Sequence, residues 1–275
     1  MFRLQEPLPN HEGSLLSELR LWMEAQQGLC VAYSGGVDST LVAAIAYEAR
    51  VEEAFAVTGV SPALAPHLLQ EARDQAAWIG IRHCECPTAE LQDPDYSGNP
   101  SDRCFACKRE LHSHLQPIAA AAGDAQVIDG VNLDDLGDHR PGIEAARQAG
   151  VRSPLAELCI DKATVRLLSR ALGFPWWDKP AQPCLASRFP YGEGITADRL
   201  RRVGEAEAWL IGRGFERVRV RSHGLAARIE VPEDQIRAVL ELSQAGGLVE
   251  TFRELGFTSV NLDLEGLVSG KLNRR

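Results

Sequence analysis

The sequence predicts an α/β fold, a parallel sheet with helices on both faces, followed by a small C-terminal α+β domain. Three observations carry that prediction. Leu29 to Tyr33 is a short apolar run that leads through Ser34, Gly35, Gly36, Val37, Asp38, Ser39 and Thr40 into an Ala-rich helical pattern from Leu41 to Ala49, which reads as strand, loop and helix. Strand-like and helix-like segments then alternate as far as residue 155, as βαβ units require. Past Thr196 the pattern changes, with two alternating stretches close together, which places a domain boundary between residues 180 and 181.

Composition narrows the class. The chain has 275 residues, 45% hydrophobic and 24% charged, which are the proportions of a globular protein with ample core. No run of about 18 apolar residues appears, so no membrane span is expected, and the first residues lack a signal-peptide core, which makes the cytoplasm the expected location. A net charge of −9 disfavours general nucleic-acid binding. Seven cysteines are an odd number, better suited to buried thiols and chemistry than to a disulfide framework. Cys30 and Cys159 read as core residues; Cys84 and Cys86 form a C-x-C without a partner of obvious spacing.

Leu15, Leu16, Leu19, Trp22 and Met23 lie at helical spacing behind Ser14, predicting a covering helix over 14–27. The glycine loop comes next. Gly35 and Gly36 let the backbone approach a ligand, and the helix after them brings unpaired N–H groups and about +0.5 charge, so the expected guest is an anion. Strands are expected at Ala54–Val60, which ends near Thr58, and at Ile81–Cys84, with a helix between them from Leu64 to Ile79. Residues 87–102 are rich in turn formers and read as a long loop.

That loop delivers Arg103, Cys104, Cys107 and Lys108 to the start of a helix reaching Ala122. A C-x-x-C there favours thiolate through the helix dipole and the two cations, although two incidental thiols on an amphipathic helix give the same pattern. A strand from Gln126 to Asp129 ends in an acidic turn, Asp129 to Asp135. It is either solvated or set beside a nucleotide and its Mg²⁺. His139 to Gly142, a short helix, a last strand at Ser153–Leu155 and a helix over 162–172 complete the first domain.

Pro183 to Gly192 is a structured linker in which Cys184, Ser187 and Arg188 are functional candidates, a thiol beside Arg188 being partly ionised. Thr196 caps a helix to Ile211. Glu216–Arg221 alternates strictly, which puts Arg217, Arg219 and Arg221 on one strand face, and Ala227–Val231 sends Arg228 and Glu230 to one side. Such a face is either solvated or an anion site. Clustered arginines repel unless Glu230 or a phosphate or carboxylate sits among them.

Several of these segments resemble known ones. Ser34 to Thr40 matches SGGxDS[ST], the PP-loop of enzymes that cleave ATP to AMP and pyrophosphate. With Arg103-Cys-x-x-Cys-Lys108, Asp129-Gly-Val-Asn-Leu-Asp-Asp135, Arg140-Pro-Gly142, Trp177-Asp-Lys-Pro180, Pro183-Cys-Leu-Ala-Ser-Arg-x-Pro-Tyr-Gly192, Arg219-Val-Arg-x-His-Gly224 and Ala227-Arg-Ile-Glu230, the chain resembles the LarE family over nearly its whole length. These are ATP-dependent sulfur transferases that help to mature the nickel-pincer cofactor of lactate racemase. Val131 departs from the family's Thr.

The resemblance implies a PP-loop ATP-binding domain (1–180), a substrate and sulfur-transfer domain (181–275), and a pyridinium dicarboxylate mononucleotide as substrate. Each carboxylate is adenylated and then converted to a thiocarboxylate. It implies ATP contacts from Ser34, Gly35, Gly36, Val37, Asp38, Ser39, Thr40, Thr58 and Asp129, with Asp38 near Mg²⁺, and substrate contacts from Ser187, Arg188, Arg219, Arg221 and Glu230. Cys184, Asp38 and Arg188 are the implied catalytic residues. The sulfur comes either from Cys184 itself, which becomes dehydroalanine, or from a sulfide on a [4Fe-4S] cluster held by Cys104, Cys107 and Cys184. A homo-oligomer is expected, and a tRNA thiolase of the same superfamily is the alternative.

Overall fold

The structure, a computed structural model, describes residues 2–137, 141–268 and 271. His139 and Arg140 of the expected His-Arg-Pro-Gly stretch lie outside the described residues. Contacts divide the chain into two compact units. The first comprises the described residues up to Ser61, Leu68–Glu90 and Asp102–Gln182; the second comprises Pro62–His67, Leu91–Ser101 and the described chain from Pro183 onward.

In chain order the first elements are α1 (Asn10–Glu24), β1 (Leu29–Ala32), α2 (Val37–Ala49), β2 (Ala54–Val60), α3 (Pro66–Ile79) and β3 (Arg82–Pro87). After α4 (Pro94–Ser97), a short helix of the second unit, come α5 (Arg103–Ala121), β4 (Gln126–Ile128), α6 (Pro141–Gln148), α7 (Pro154–Glu157) and α8 (Lys162–Ala171). The four strands are parallel, in the order β3-β2-β1-β4. Successive residues of a strand point to opposite faces, and the core divides accordingly. Leu29 and Val31 of β1 and Ala54 and Ala56 of β2 pack with α1, α2, α3 and α8, whereas Cys30, Ala32, Phe55 and Val57 pack with α5 and α6. Both faces of the sheet are thus covered, which is why its inner strands read as continuous apolar runs.

The winding reverses at β1. From β1 the chain moves outward to β2 and β3, then returns to place β4 on β1's other edge. Such a switch point leaves a crevice beyond the strands' carboxyl ends, and both the glycine loop and the acidic turn after β4 lie at those ends.

Three sequence expectations are corrected. Ser153–Leu155 is not a strand: Arg152 makes a single parallel bridge to Ile128, and Pro154 then opens α7. Proline has no N–H for a ladder, and its fixed φ suits a first helical position. Cys159 is exposed rather than core, at a left-handed φ of 55° just past α7. The 87–102 loop contains a 3-10 turn at Glu90–Gln92 and α4, whose cap Asp93 accepts from the Asp95 N–H at 2.9 Å.

The second unit is α+β. Thr196 caps α9 (Ala197–Ile211) by accepting from the Arg199 N–H at 3.3 Å. β5 (Arg219–His223) pairs antiparallel with β6 (Ala226–Glu230), and after α10 (Ile236–Ala245) and α11 (Leu248–Glu254) the strand β7 (Ser259–Leu262) joins β6 in parallel. Asn99, fully buried, donates to the Pro190 carbonyl at 2.7 Å and accepts at its own carbonyl from the Gly192 N–H at 2.8 Å, which binds the α4 segment to the Cys184 linker.

Candidate functional site

In the first unit the loop folds around its own hydroxyls. Ser34 Oγ and Ser39 Oγ are 3.1 Å apart, Ser39 Oγ donates to the Gly36 carbonyl at 3.1 Å, and the Gly36 N–H donates to Ser34 Oγ at 3.3 Å. Gly35 has a φ of +67°, and an added Cβ would lie 3.0 Å from the Ala72 backbone, so its place needs glycine twice over. Val37 and Thr40 are buried behind the loop, and Thr40 Oγ1 donates to Gln75 at 2.9 Å. The first turn of α2, from Val37, leaves N–H groups without an intrahelical partner beside the glycines.

The acidic turn comes directly against this loop. A Cβ on Gly130 would meet the Ser39 nitrogen at 2.6 Å, so the Asp129–Gly130 backbone lies on the start of α2. Asp129 is buried and accepts at Oδ1 from Ser153 Oγ (2.7 Å) and the Val131 N–H (3.1 Å). Burial raises its pKa, against the pull of Ser153 and Lys108. The hydroxyl that Asp129 accepts from is thus that of Ser153.

Asp38, in the first turn of α2, accepts from Asn132 Nδ2 at 3.1 Å and from Lys162 Nζ at 2.5 Å. Lys179 Nζ donates to the Gly35 carbonyl at 3.1 Å and pairs with Glu71. The sequence reading assigned neither lysine a role. Thr58 is turned to structure: its hydroxyl donates to the Tyr33 carbonyl at 2.9 Å and bonds His83 Nε2 at 2.8 Å. Burial lowers the pKa of His83.

Cys104 and Cys107 stand one turn apart on α5, the first exposed and the second half-buried, and none of the seven cysteines is in a disulfide. Thiols outside disulfides suit an iron–sulfur cluster chemically. Within each unit, among the described residues, no three His, Cys, Asp or Glu side chains gather as a metal-holding group. Cys184 belongs to the second unit.

There Cys184 is exposed at the head of a 3-10 turn, Leu185–Arg188. Arg188 is buried behind it. Its Nε and Nη2 donate to Glu207 at 2.7 and 2.9 Å, and its Nη1 donates to the Pro183 carbonyl (2.9 Å), the Cys184 carbonyl (3.3 Å) and Ser187 Oγ (2.8 Å). Arg221, 2% exposed, is held by Glu230 at 3.0 Å and donates to the Ser187 carbonyl at 2.7 Å. Glu230, fully buried, also pairs with Arg228 at 3.4 Å. Arg219 differs from both: it is half-buried, and among the described residues it has no hydrogen-bond or ion-pair partner. Burial lowers its pKa, and the like charges of Arg188 and Arg221 act the same way. Arg219 is therefore one unpartnered cation beside two neutralised ones, Arg221 on the same strand and Arg188 in the 3-10 turn. Arg217 precedes β5.

A glycine loop at the switch point of a parallel sheet covered by helices, with a small α+β unit that exposes a cysteine, defines an α/β protein of two units. Protein-family models give no match. The chain is 55% identical over 261 residues, 95% of its length and 97% of the other, to an uncharacterized protein of Synechocystis sp.. It is 37% identical over 248 residues, 90% of its length and 89% of the other, to the pyridinium-3,5-bisthiocarboxylic acid mononucleotide synthase of Lactiplantibacillus plantarum. An uncharacterized protein of Methanocaldococcus jannaschii is 26% identical over 237 residues, 86% of this chain. The chain belongs to the LarE family of sulfur-transferring synthases. No described helix is long and apolar enough to cross a membrane.

Proposed function

We propose that this chain is an ATP-dependent, AMP-forming sulfur transferase that converts the carboxylates of a pyridinium dicarboxylate mononucleotide to thiocarboxylates in nickel-pincer cofactor biosynthesis. The observation that carries this reading is identity to the bisthiocarboxylic acid mononucleotide synthase along nine-tenths of the chain, with Ser34-Gly-Gly-Val-Asp-Ser-Thr40 folded at the sheet's switch point. A carboxylate resists nucleophilic attack until its oxygen becomes part of a leaving group, and ATP supplies that group as AMP.

In this reading Ser34 to Thr40 form the PP-loop. The loop's backbone and the start of α2 take the phosphates, Asp38 faces Mg²⁺, and Asp129 and Thr58 shape the nucleotide's surroundings. Arg219 takes the substrate's phosphate or carboxylate, since it alone of the three arginines has charge to spare. Arg188 and Arg221 hold the turn that presents Cys184, with Ser187 and Glu230 completing the set.

Cys184 is common to both sulfur routes. In the sacrificial route its thiolate attacks the acyl carbon and AMP leaves with the C–O electron pair. Loss of the Cys184 Cα proton to a base then breaks the Cβ–S bond, leaving thiocarboxylate and dehydroalanine. In the other route Cys184 joins Cys104 and Cys107 as a ligand of a [4Fe-4S] cluster, whose chemistry when bound is to carry the transferable sulfide. A homo-oligomer is the proposed working form.

Incubation of the chain with Mg·ATP and the pyridinium dicarboxylate mononucleotide tests the reading, followed by assay of pyrophosphate and AMP. Release dependent on the mononucleotide supports it. Release that depends instead on tRNA would favour the thiolase alternative, and ATP binding without release would make the chain a nucleotide sensor.

A further inference from the structure

Unlike a phosphate loop that carries its own lysine, Ser34 to Thr40 contains no cation. A lysine nevertheless stands at this loop, delivered by a residue 124 positions away: Lys162 Nζ lies 2.5 Å from Asp38 Oδ2. The geometry points to Lys162 as the exchangeable cation of the loop, which neutralises Asp38 while the site is empty and passes to the phosphates when a divalent ion takes Asp38. This inference rests on the reading of the loop as a Mg·ATP site.

Two features make the exchange feasible. The Lys162 backbone is fixed, because its N–H donates to Asp134 Oδ2 at 3.0 Å and it is the first residue of α8, whose cap Asp161 accepts from the Thr164 N–H at 2.8 Å. Its ammonium, by contrast, rides on a four-carbon arm with rotatable donors and meets Asp38 where both side chains reach solvent, 32% and 20% exposed. Asp38 is likewise anchored on one side only. Asn132 Nδ2 holds Oδ1, while Oδ2 is the oxygen that Lys162 covers. A hard divalent ion arriving with phosphate oxygens prefers that carboxylate oxygen, and an ammonium displaced by it has phosphates within its swing.

Lysine and metal thus compete for Asp38 but cooperate on the nucleotide. Removing the lysine must move the two affinities in opposite directions.

The test measures both on the full chain. Mn²⁺ binding without nucleotide is followed by electron paramagnetic resonance, and Mg·ATP binding by calorimetry, in wild type, Lys162→Met and Lys162→Arg. Lys162→Met is expected to bind Mn²⁺ about two- to fivefold more tightly, the scale of an exposed ion pair lost as a competitor. It should bind Mg·ATP about 10- to 100-fold more weakly, the scale of a hydrogen bond to a charged group, with part of that loss restored in Lys162→Arg. A Lys162→Met variant that weakens both affinities has a purely structural lysine, and one that leaves Mg·ATP binding within about twofold has an idle one; either result overturns the inference alone. Failure of the wild-type chain to bind Mg·ATP removes the reading of the loop, and this inference with it.

Discussion

Glu207 and Arg188 form a buried, two-pronged ion pair, Nε and Nη2 of the arginine donating at 2.7 and 2.9 Å to the two carboxylate oxygens. Glu207 also accepts from the Val220 N–H at 2.8 Å, between Arg219 and Arg221, so one carboxylate on α9 joins the Cys184 turn to strand β5. Through Arg188 its hold extends to the carbonyls of Pro183 and Cys184. With Nε, Nη1 and Nη2 all engaged, Arg188 is built into the turn that carries Cys184.

Removing one partner of this pair leaves the other charge buried. Glu207→Gln is expected to lower unfolding free energy by about 3–5 kcal/mol. Urea denaturation checks the loss. Alkylation of Cys184 under native conditions checks its consequence, since a loosened turn changes the rate at which that thiol reacts.

Arg219 and Arg221 are expected to separate cleanly although they share a strand face. Arg219→Ala removes an unpartnered cation crowded by Arg188 and Arg221, so stability should stay within about 0.5 kcal/mol while affinity for the mononucleotide falls about tenfold or more. Arg221→Ala leaves Glu230 buried without its main partner and should cost about 3–5 kcal/mol. Thermal melts and substrate titrations of the two variants distinguish these outcomes.

Gly130 has no room for a methyl group. Gly130→Ala would put a carbon 2.6 Å from the Ser39 nitrogen, backbone against backbone, and should cost about 1–3 kcal/mol while pushing the loop off its anion-binding geometry. ATP binding measured beside the melting temperature should show the larger loss in binding.

His112 gives a pH signature to the first unit. It is buried on α5, and among the described residues neither ring nitrogen has a hydrogen-bond partner. Burial, helped by the charge of Lys108, depresses its pKa from 6.5 to about 4. Between those values the unfolded chain binds a proton that the folded chain refuses, so stability is full above pH 6.5 and falls as the pH drops toward 4. The loss approaches about 3 kcal/mol. His112→Leu should flatten that slope in urea denaturation across the same range.

Much of the first unit was legible in the sequence because its local signals agree. Ala54–Val60 forms a strand at the expected bounds, and the apolar run before Ser34 forms the central strand, since both are buried on two faces and bounded by turn residues. The turn at Ser153 was misread because its pairing strength depends on a single bridge from Arg152, and Pro154 decides the matter locally. Lys162 and Lys179 could not be read at the loop, since an ion pair across 124 positions and a hydrogen bond across 144 leave no trace in spacing. Likewise the alternation at Arg219 and Arg221 gave a shared face without revealing that Glu230 and Glu207 neutralise its surroundings unequally. The segments at 62–67 and 91–101 join the second unit through contacts such as Asn99 with Pro190, which no local pattern encodes.

The most direct measurement concerns Cys184→Ala. Given Mg·ATP and the pyridinium dicarboxylate mononucleotide, this variant should still release pyrophosphate and leave the substrate as its acyl adenylate, while mass spectrometry of the small-molecule product finds no exchange of oxygen for sulfur. Wild type should release pyrophosphate and AMP and make the exchange. Thiocarboxylate formed by Cys184→Ala would contradict the assignment of sulfur delivery to this thiol, and pyrophosphate release independent of the mononucleotide in wild type would contradict the adenylation of its carboxylates.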